Sequence, residues 1–235
     1  MGNIIFKVQE ALKKAADEKT RIGSQRYFKE QITVYGVKSN SVKQISRQFF
    51  QDIKQLSKTE ILELCEMLWK SGYLEESFIA CDWAEKIGSK FEPEDFKIFE
   101  HWIKDYVNNW ASCDTLCNHT VGDFVMKFPE YIEKLKDFAH SENRWVKRAA
   151  AVTLIIPARK GLFRKEIFEI ADTLLTDRDD MVQKGYGWML KAASEAHQKE
   201  VFEFVLAHKK NMPRTALRYA IEKMPIELKE KAMEK

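Results

Sequence analysis

The chain has 235 residues and a mass of 27.6 kDa, enough for one large domain or two small ones with a sizeable core. Hydrophobic residues make up 45% and charged residues 32%, which excludes a disordered chain, and nine glycines with five prolines are too few for the frequent turns of an all-β fold. The formal net charge of +3 gives no indication of a nucleic-acid partner by itself.

Apolar residues recur at helical spacing along nearly the whole chain. Ser57 and Glu60 form the pattern of a capping box, and Pro93 and Pro129 stand where the first turn of a helix accepts proline. Further helices are predicted over residues 75–87, 145–156, 163–175, 181–193, 200–207 and 214–224. Pro157 is expected to close the helix over 145–156. Since no segment alternates like a strand, the sequence predicts an all-α protein of roughly a dozen short helices.

These helices have a faint internal repeat. Aligning the second helix of each pair on its small residues superimposes Ser77, Asp114, Arg148, Gly185 and Arg218. The intervals are 37, 34, 37 and 33 residues, which suits an α-α superhelix, a HEAT-like repeat solenoid forming one domain over residues 1–235. In such a solenoid the second helices line a concave, basic groove, so Asp114, Arg148 and Trp188 are expected on one face. The alternative is an irregular helical bundle.

The sequence lacks the motifs of several common catalytic and metal-binding sites. The sequence has no glycine-rich phosphate loop, no HExxH or GxSxG motif and no acidic metal cluster, so we expect no metal and no cofactor. The four cysteines form no CxxC pair and are interpreted as reduced, mostly buried thiols.

The longest apolar run, residues 149–156, is less than half of a membrane span, and the first residues do not form a secretory signal. We therefore expect a cytoplasmic protein with no membrane partner.

Basic residues are concentrated in the last part of the chain. Residues 1–143 contain 20 basic and 23 acidic side chains (net −3), and residues 144–235 contain 19 and 13 (net +6). Between positions 144 and 165 there are seven cations and no acid: Arg144, Lys147, Arg148, Arg159, Lys160, Arg164 and Lys165. On consecutive repeats they would form a stripe suited to a phosphate backbone, although a solvated face is the ordinary explanation of such a run.

Two tryptophans differ from the others in their neighbours. Trp110 and Asp114 are four residues apart, on one face of a predicted helix. Trp188 shares a helix with Lys184 and Lys191. Core packing is the simpler explanation for tryptophan in general, and we expect it to hold for Trp69, Trp83 and Trp102. Exposure is more plausible for Trp110 and Trp188 because polar residues share their faces.

Three segments together resemble a known family. WASCD at 110–114, RWVKRAA at 144–150 and KGYGWML at 184–190 are similar, in order and spacing, to the HEAT-like-repeat alkylpurine DNA glycosylases of the AlkD type, which are DNA alkylation repair enzymes. The resemblance covers most of the chain. It implies that Asp114, Trp110 and Trp188 are catalytic, that Arg148 grips a phosphate, and that Tyr27 lies near the DNA.

The activity implied by the resemblance is hydrolysis of the N-glycosidic bond of positively charged N3- or N7-alkylated purines in duplex DNA, a DNA-damage repair reaction. The predicted enzyme is a monomer of the bacterial cytosol and nucleoid. The DNA-binding residues expected from the basic residues and the resemblance are Arg148, Tyr27, Arg144, Lys147, Arg159, Lys160 and Lys184.

Two other functions remain open at this point. A non-catalytic protein that binds DNA structures would use the same basic residues without needing Asp114. Ala111, which stands where well-known members of the family have a second tryptophan, leaves this alternative in place. A protein-interaction solenoid would keep the repeats but would have no use for a basic run beside tryptophans.

Overall fold

The computed structural model describes residues 2–234, and the regular secondary structure in that range is helical, without a β-strand. A single isolated bridge within it joins Thr33 and Tyr73. The all-α prediction is therefore confirmed. The chain divides into two compact units, Met1–Leu116 and Cys117–Lys235. That the whole chain is one repeat domain stays a prediction.

The first unit is built around aromatic side chains. Its helices are α1 Gly2–Ala15, α2 Glu18–Gln25, α3 Ser39–Ile53, α4 Lys58–Lys70, α5 Leu74–Lys86, α6 Phe96–Asp105 and α7 Trp110–Thr115. Helix α5 packs against α3, α4 and α7. Trp83 and Trp102 are fully buried, and Trp69 is 3% exposed, so the predicted core role of these three tryptophans is confirmed.

The second unit begins within a π-helical stretch, Leu116–Val121. Its helices are α8 Gly122–Lys127, α9 Ile132–Ala139, α10 Arg144–Val152, α11 Ile155–Arg159, α12 Arg164–Thr173, α13 Asp180–Ala193, α14 Gln198–His208, α15 Arg214–Ala220 and α16 Ile226–Met233. Helix α13 is central, because it packs against α10, α11, α12 and α15. At the α13–α15 contact the backbones approach so closely that a Cβ on Gly187 would lie 2.8 Å from the carbonyl oxygen of Ala216.

The predicted helix starts agree with the structure. The Ser57 side chain accepts a hydrogen bond from the Glu60 N–H, and the Glu60 carboxylate accepts one from the Ser57 N–H, which completes the capping box of α4. Pro93 and Pro129 each open a short 3-10 turn, Pro93–Asp95 and Pro129–Tyr131, that leads directly into α6 and α9. Proline is accepted there because the first turn of a helix leaves its N–H groups unpaired.

Two predicted helices are wrong in their bounds, and one of them, expected over residues 214–224, ends at Ala220. Residues 145–156 do not form a single helix closed by Pro157, because α10 ends at Val152 and α11 begins at Ile155. Pro157 lies inside the first turn of α11, where its missing N–H costs no helical hydrogen bond. The apolar run that spans the break contains no residue that signals it.

Side-chain contacts between neighbouring repeats show the predicted period. The Ser46 hydroxyl donates to Asp82, Lys58 pairs with Glu92, and Arg164 pairs with Glu200, at separations of 36, 34 and 36 residues. Helices pair as α4 with α5, α9 with α10 and α12 with α13 within their units. These observations confirm an α-α repeat architecture with a period near 35 residues. That the second helices line one concave groove stays a prediction.

Two further predictions from the sequence concern the cysteines and a membrane span. The four cysteines, Cys65, Cys81, Cys113 and Cys117, are buried and free, as predicted. Within residues 2–234 no helix combines the length and the apolar character needed to cross a membrane.

Candidate functional site

Trp110 is the first residue of α7, and its indole is held by two groups of the first unit. The Asn109 side chain caps the helix by accepting a hydrogen bond from the Ser112 N–H at 2.9 Å. The indole N–H donates to the backbone oxygen of Tyr27 at 3.2 Å. The ring stacks on Phe28, with 5.3 Å between ring centroids and 19° between the planes. Because a hydrogen bond and a stack act together, the half-buried indole has a defined orientation.

Asp114 lies one turn further along α7, on the same side as Trp110. Ala111, Ser112 and Cys113 between them are buried, whereas Trp110 and Asp114 are each half-buried. Trp110 and Asp114, four positions apart, therefore share the partly exposed side of a short helix. That they form a catalytic pair stays a prediction.

Tyr27 is exposed to solvent, and its backbone lies beside the Trp110 indole. Its side chain is 77% exposed, the highest value among the large hydrophobic residues of the described chain that are exposed. Its backbone oxygen is the acceptor for the Trp110 indole. The backbone of Tyr27 is thus held beside Trp110, while its ring is not part of the core. Phe28, which sequence reasoning missed, is the stacking partner in this arrangement.

Arg148 is more deeply buried than a phosphate-binding residue is expected to be. Only 5% of it is exposed, and its Nη1 donates to the backbone oxygen of Met181 at the start of α13. Its side chain also lies against Gly185 of the same helix. In this structure Arg148 links α10 to α13, and this link restricts how far the guanidinium can move toward a phosphate.

Trp188 and Lys184 lie on the same helix as the Arg148 contact. Trp188 follows Gly185 by three residues, so the two share a side of α13, and Trp188 is half-buried. The Lys184 ammonium lies 3.2 Å from the carboxylate of Asp180. The second unit thus brings Arg148 close to the turn of α13 that carries Trp188.

The seven cations between positions 144 and 165, called the basic run, have no acidic residue among them in the sequence. In the structure, however, carboxylates lie beside most of them. Most of the cations of the basic run pair with carboxylates of the following repeat or of their own helix. Arg144 contacts Asp179 at 2.9 Å and stacks on Trp145, with the guanidinium carbon 4.9 Å from the ring centroid. Lys147 pairs with Asp177, and both side chains are largely buried. The other pairs are Arg159 with Glu195, Arg164 with Glu200, and Lys165 with Glu169.

Lys160 differs from the rest of the run, since its exposed ammonium is 3.5 Å from the sulfur of Met126 rather than from a carboxylate. The local charge of the run is therefore much smaller than its sequence suggests. The repeat period contains the signal that would have revealed this, because Asp179, Glu195 and Glu200 each lie 35 or 36 residues after their partners.

Comparisons with known proteins show the family and the fold of the chain. A family model described as DNA alkylation repair enzyme matches residues 8–224. A solved structure, described as a predicted DNA alkylation repair enzyme from Enterococcus faecalis, superimposes with a TM-score of 0.81 over 90% of this chain and 97% of that one. At 18% sequence identity this likeness shows the fold alone. No curated protein sequence matches the chain.

Proposed function

This chain belongs to the DNA alkylation repair enzyme family, and from that premise we propose that it hydrolyses the N-glycosidic bond of cationic N3- or N7-alkylated purines in duplex DNA. The observation that carries the proposal is the Trp110–Asp114 pair on α7, with its indole anchored by Tyr27 and Phe28. An oriented π surface beside a carboxylate is suited to stabilising a positive charge that develops on a deoxyribose.

The proposed chemistry needs few catalytic groups. An alkylated purine of this class already carries a positive charge, so the base can leave without protonation by a general acid. As the glycosidic bond breaks, its electrons leave with the base and positive charge moves to the sugar. A water then adds to the anomeric carbon and releases one proton to the solvent. Asp114 stabilises the sugar cation and orients the water. A unit charge pair at about 4 Å in an effective dielectric near 20 is worth ~4 kcal/mol, up to about a thousandfold in rate.

The two tryptophans have related roles in this proposal. Trp110 and Trp188 pack on the sugar and interact with its developing charge through their π faces. The contacts of Trp110 reduce the reorganisation that the transition state would otherwise require, because the ring is already oriented before DNA binds. The residues present supply this chemistry without a metal or a cofactor.

DNA binding is proposed to be electrostatic and largely independent of sequence. Its residues are Arg148, Tyr27, Arg144, Lys147, Arg159, Lys160 and Lys184. The ion pairs of Arg144 and Lys147 mean that phosphates must compete with Asp179 and Asp177 for these cations. We further propose that the protein acts as a monomer in the cytoplasm of a bacterium.

The proposal is tested by incubating the protein with methylated duplex DNA and measuring free 7-methylguanine and 3-methyladenine. Release of either base above the spontaneous rate supports it. Tight binding of the same DNA without any base release would favour a non-catalytic DNA-binding protein instead.

A further inference from the structure

Helix α2 is held in a different way from the other long helices of the first unit. It contains no buried residue, so apolar packing contributes little to its position. Yet the loop that follows it, residues 26–32, carries both groups that hold Trp110, the Tyr27 oxygen and the Phe28 ring. The orientation of the indole therefore depends on polar contacts at the two ends of α2.

At the end of α2, one side chain organises the loop. Gln25 donates from Nε2 to the backbone oxygen of Glu30 at 2.8 Å and to that of Phe28 at 3.4 Å. Its Oε1 accepts from the Ile32 N–H at 3.2 Å. A single amide thus satisfies backbone groups on both sides of the loop, and both of its functional groups are used.

At the start of α2, the helix rests on Gly36. The Asp17 N–H donates to the Gly36 oxygen at 2.9 Å, and a Cβ on Gly36 would lie 2.6 Å from the Cβ of Arg21. Gly36 has a φ of +90°, a conformation that favours glycine. Its segment is in turn held by the buried carboxylate of Glu75, which accepts from the N–H groups of Tyr35, Gly36 and Val37 at 3.1, 2.8 and 3.0 Å.

We propose that Gln25 and Glu75 are positioning residues for Trp110. Glu75 fixes the segment on which α2 begins, and Gln25 fixes the loop in which α2 ends. Together they keep Tyr27 and Phe28 where the indole needs them. The effect on orientation stands on these contacts alone, whereas the effect on rate rests on the proposed glycosylase function.

The test for orientation uses fluorine NMR of the full chain labelled with 5-fluorotryptophan. The six tryptophans give six signals, and Trp110 is assigned by its absence in Trp110→Phe. In Gln25→Ala we expect the Trp110 signal to shift or broaden while the other five stay unchanged. Gln31→Ala, which alters an exposed glutamine of the same loop, should leave all six unchanged. An unchanged Trp110 signal in Gln25→Ala overturns the proposal.

Glu75→Gln gives the second variant, since its amide keeps one acceptor oxygen but turns an NH₂ group toward a backbone N–H. A folded Glu75→Gln protein should move the Trp110 signal in the same way, and an unmoved signal there overturns the role of Glu75. Gln25→Ala, at an exposed position, decides the proposal independently of how Glu75→Gln folds.

Single-turnover excision of 7-methylguanine then separates the two claims. Gln25→Ala should excise about fivefold more slowly than wild type, with Gln31→Ala at the wild-type rate. A moved Trp110 signal combined with no excision by wild type supports the positioning role and overturns the glycosylase. An unmoved signal combined with normal excision overturns the positioning role alone.

Discussion

At the scale of single residues, the orientation of Trp110 is the most specific feature of the molecule. Asn109 caps the helix that begins at Trp110. The backbone oxygen of Tyr27 accepts the hydrogen bond of the indole, and the ring of Phe28 stacks on it. Helical periodicity predicts the Trp110–Asp114 face, because both residues belong to one helix. The Tyr27 and Phe28 contacts join residues more than eighty positions apart, and no local pattern encodes them.

Replacing either tryptophan should slow excision without abolishing it. In the proposed mechanism, Trp110→Ala and Trp188→Ala each remove a cation–π contact worth about 1–2 kcal/mol, so we expect single-turnover rates about tenfold lower than wild type. Trp145→Phe, a change within the core beside Arg144, is the matched control and should retain the rate if the protein is folded. Wild-type rates in both alanine variants would remove the indoles from the mechanism.

Stability should depend on pH through His101. Burial lowers the pKa of His101, but hydrogen bonds to Asp105 and Glu66 outweigh it and raise the pKa above its ordinary value. A raised pKa means that the stabilisation is fully present below the unfolded value of about 6.5 and is lost as the pH rises through the folded pKa. Since 46% of the side chain is exposed, we expect an effect of at most about 1 kcal/mol.

The measurement is thermal unfolding at about pH 6 and about pH 9, on either side of the ordinary histidine pKa. In His101→Gln the difference in Tm between the two pH values should be smaller than in wild type. If the difference is unchanged, another group is responsible for the pH dependence.

At the scale of elements, sequence signals predict helix starts better than helix breaks. The capping box at Ser57 and the prolines at 93 and 129 act within one turn, so they can be recognised locally. The break between α10 and α11 lies in an apolar run without glycine, and both helices pack against α13. The pairing of the basic run was also missed, because its acids lie one repeat further along the chain.

Gly187→Ala should destabilise the second unit. The new Cβ would lie 2.7 Å from the Cβ of Tyr219 and 2.8 Å from the Ala216 oxygen, so α13 and α15 would have to separate. Overpacking of this kind costs about 1–3 kcal/mol. Gly23→Ala in α2 is the matched control, because no atom lies within 4 Å of its Cβ, and the better helix propensity of alanine should stabilise the protein by about 0.5–1 kcal/mol. Urea unfolding that ranks the two variants equally would contradict the close α13–α15 contact.

At the scale of the whole molecule, the ion pairs determine how much positive charge is available for the proposed DNA binding. Asp177→Asn should release Lys147 and retain the acceptor oxygen that binds the Asp179 N–H. We expect the log–log salt dependence of DNA binding to steepen by about 0.9, the value for one additional phosphate contact. Asp123→Asn changes the net charge equally at an exposed position and should leave the slope unchanged. Equal slopes in the two variants would show that Lys147 does not contact DNA.

The central claim is that Asp114 stabilises the developing sugar cation, and single-turnover excision of 7-methylguanine from duplex DNA tests it most directly. Asp114→Asn keeps the shape of the side chain and removes its charge, so we expect excision to be abolished while the Kd for the same DNA stays close to wild type. Asp52→Asn, an exposed aspartate of the same unit, should excise at the wild-type rate. Equal excision rates for wild type and Asp114→Asn would contradict the account.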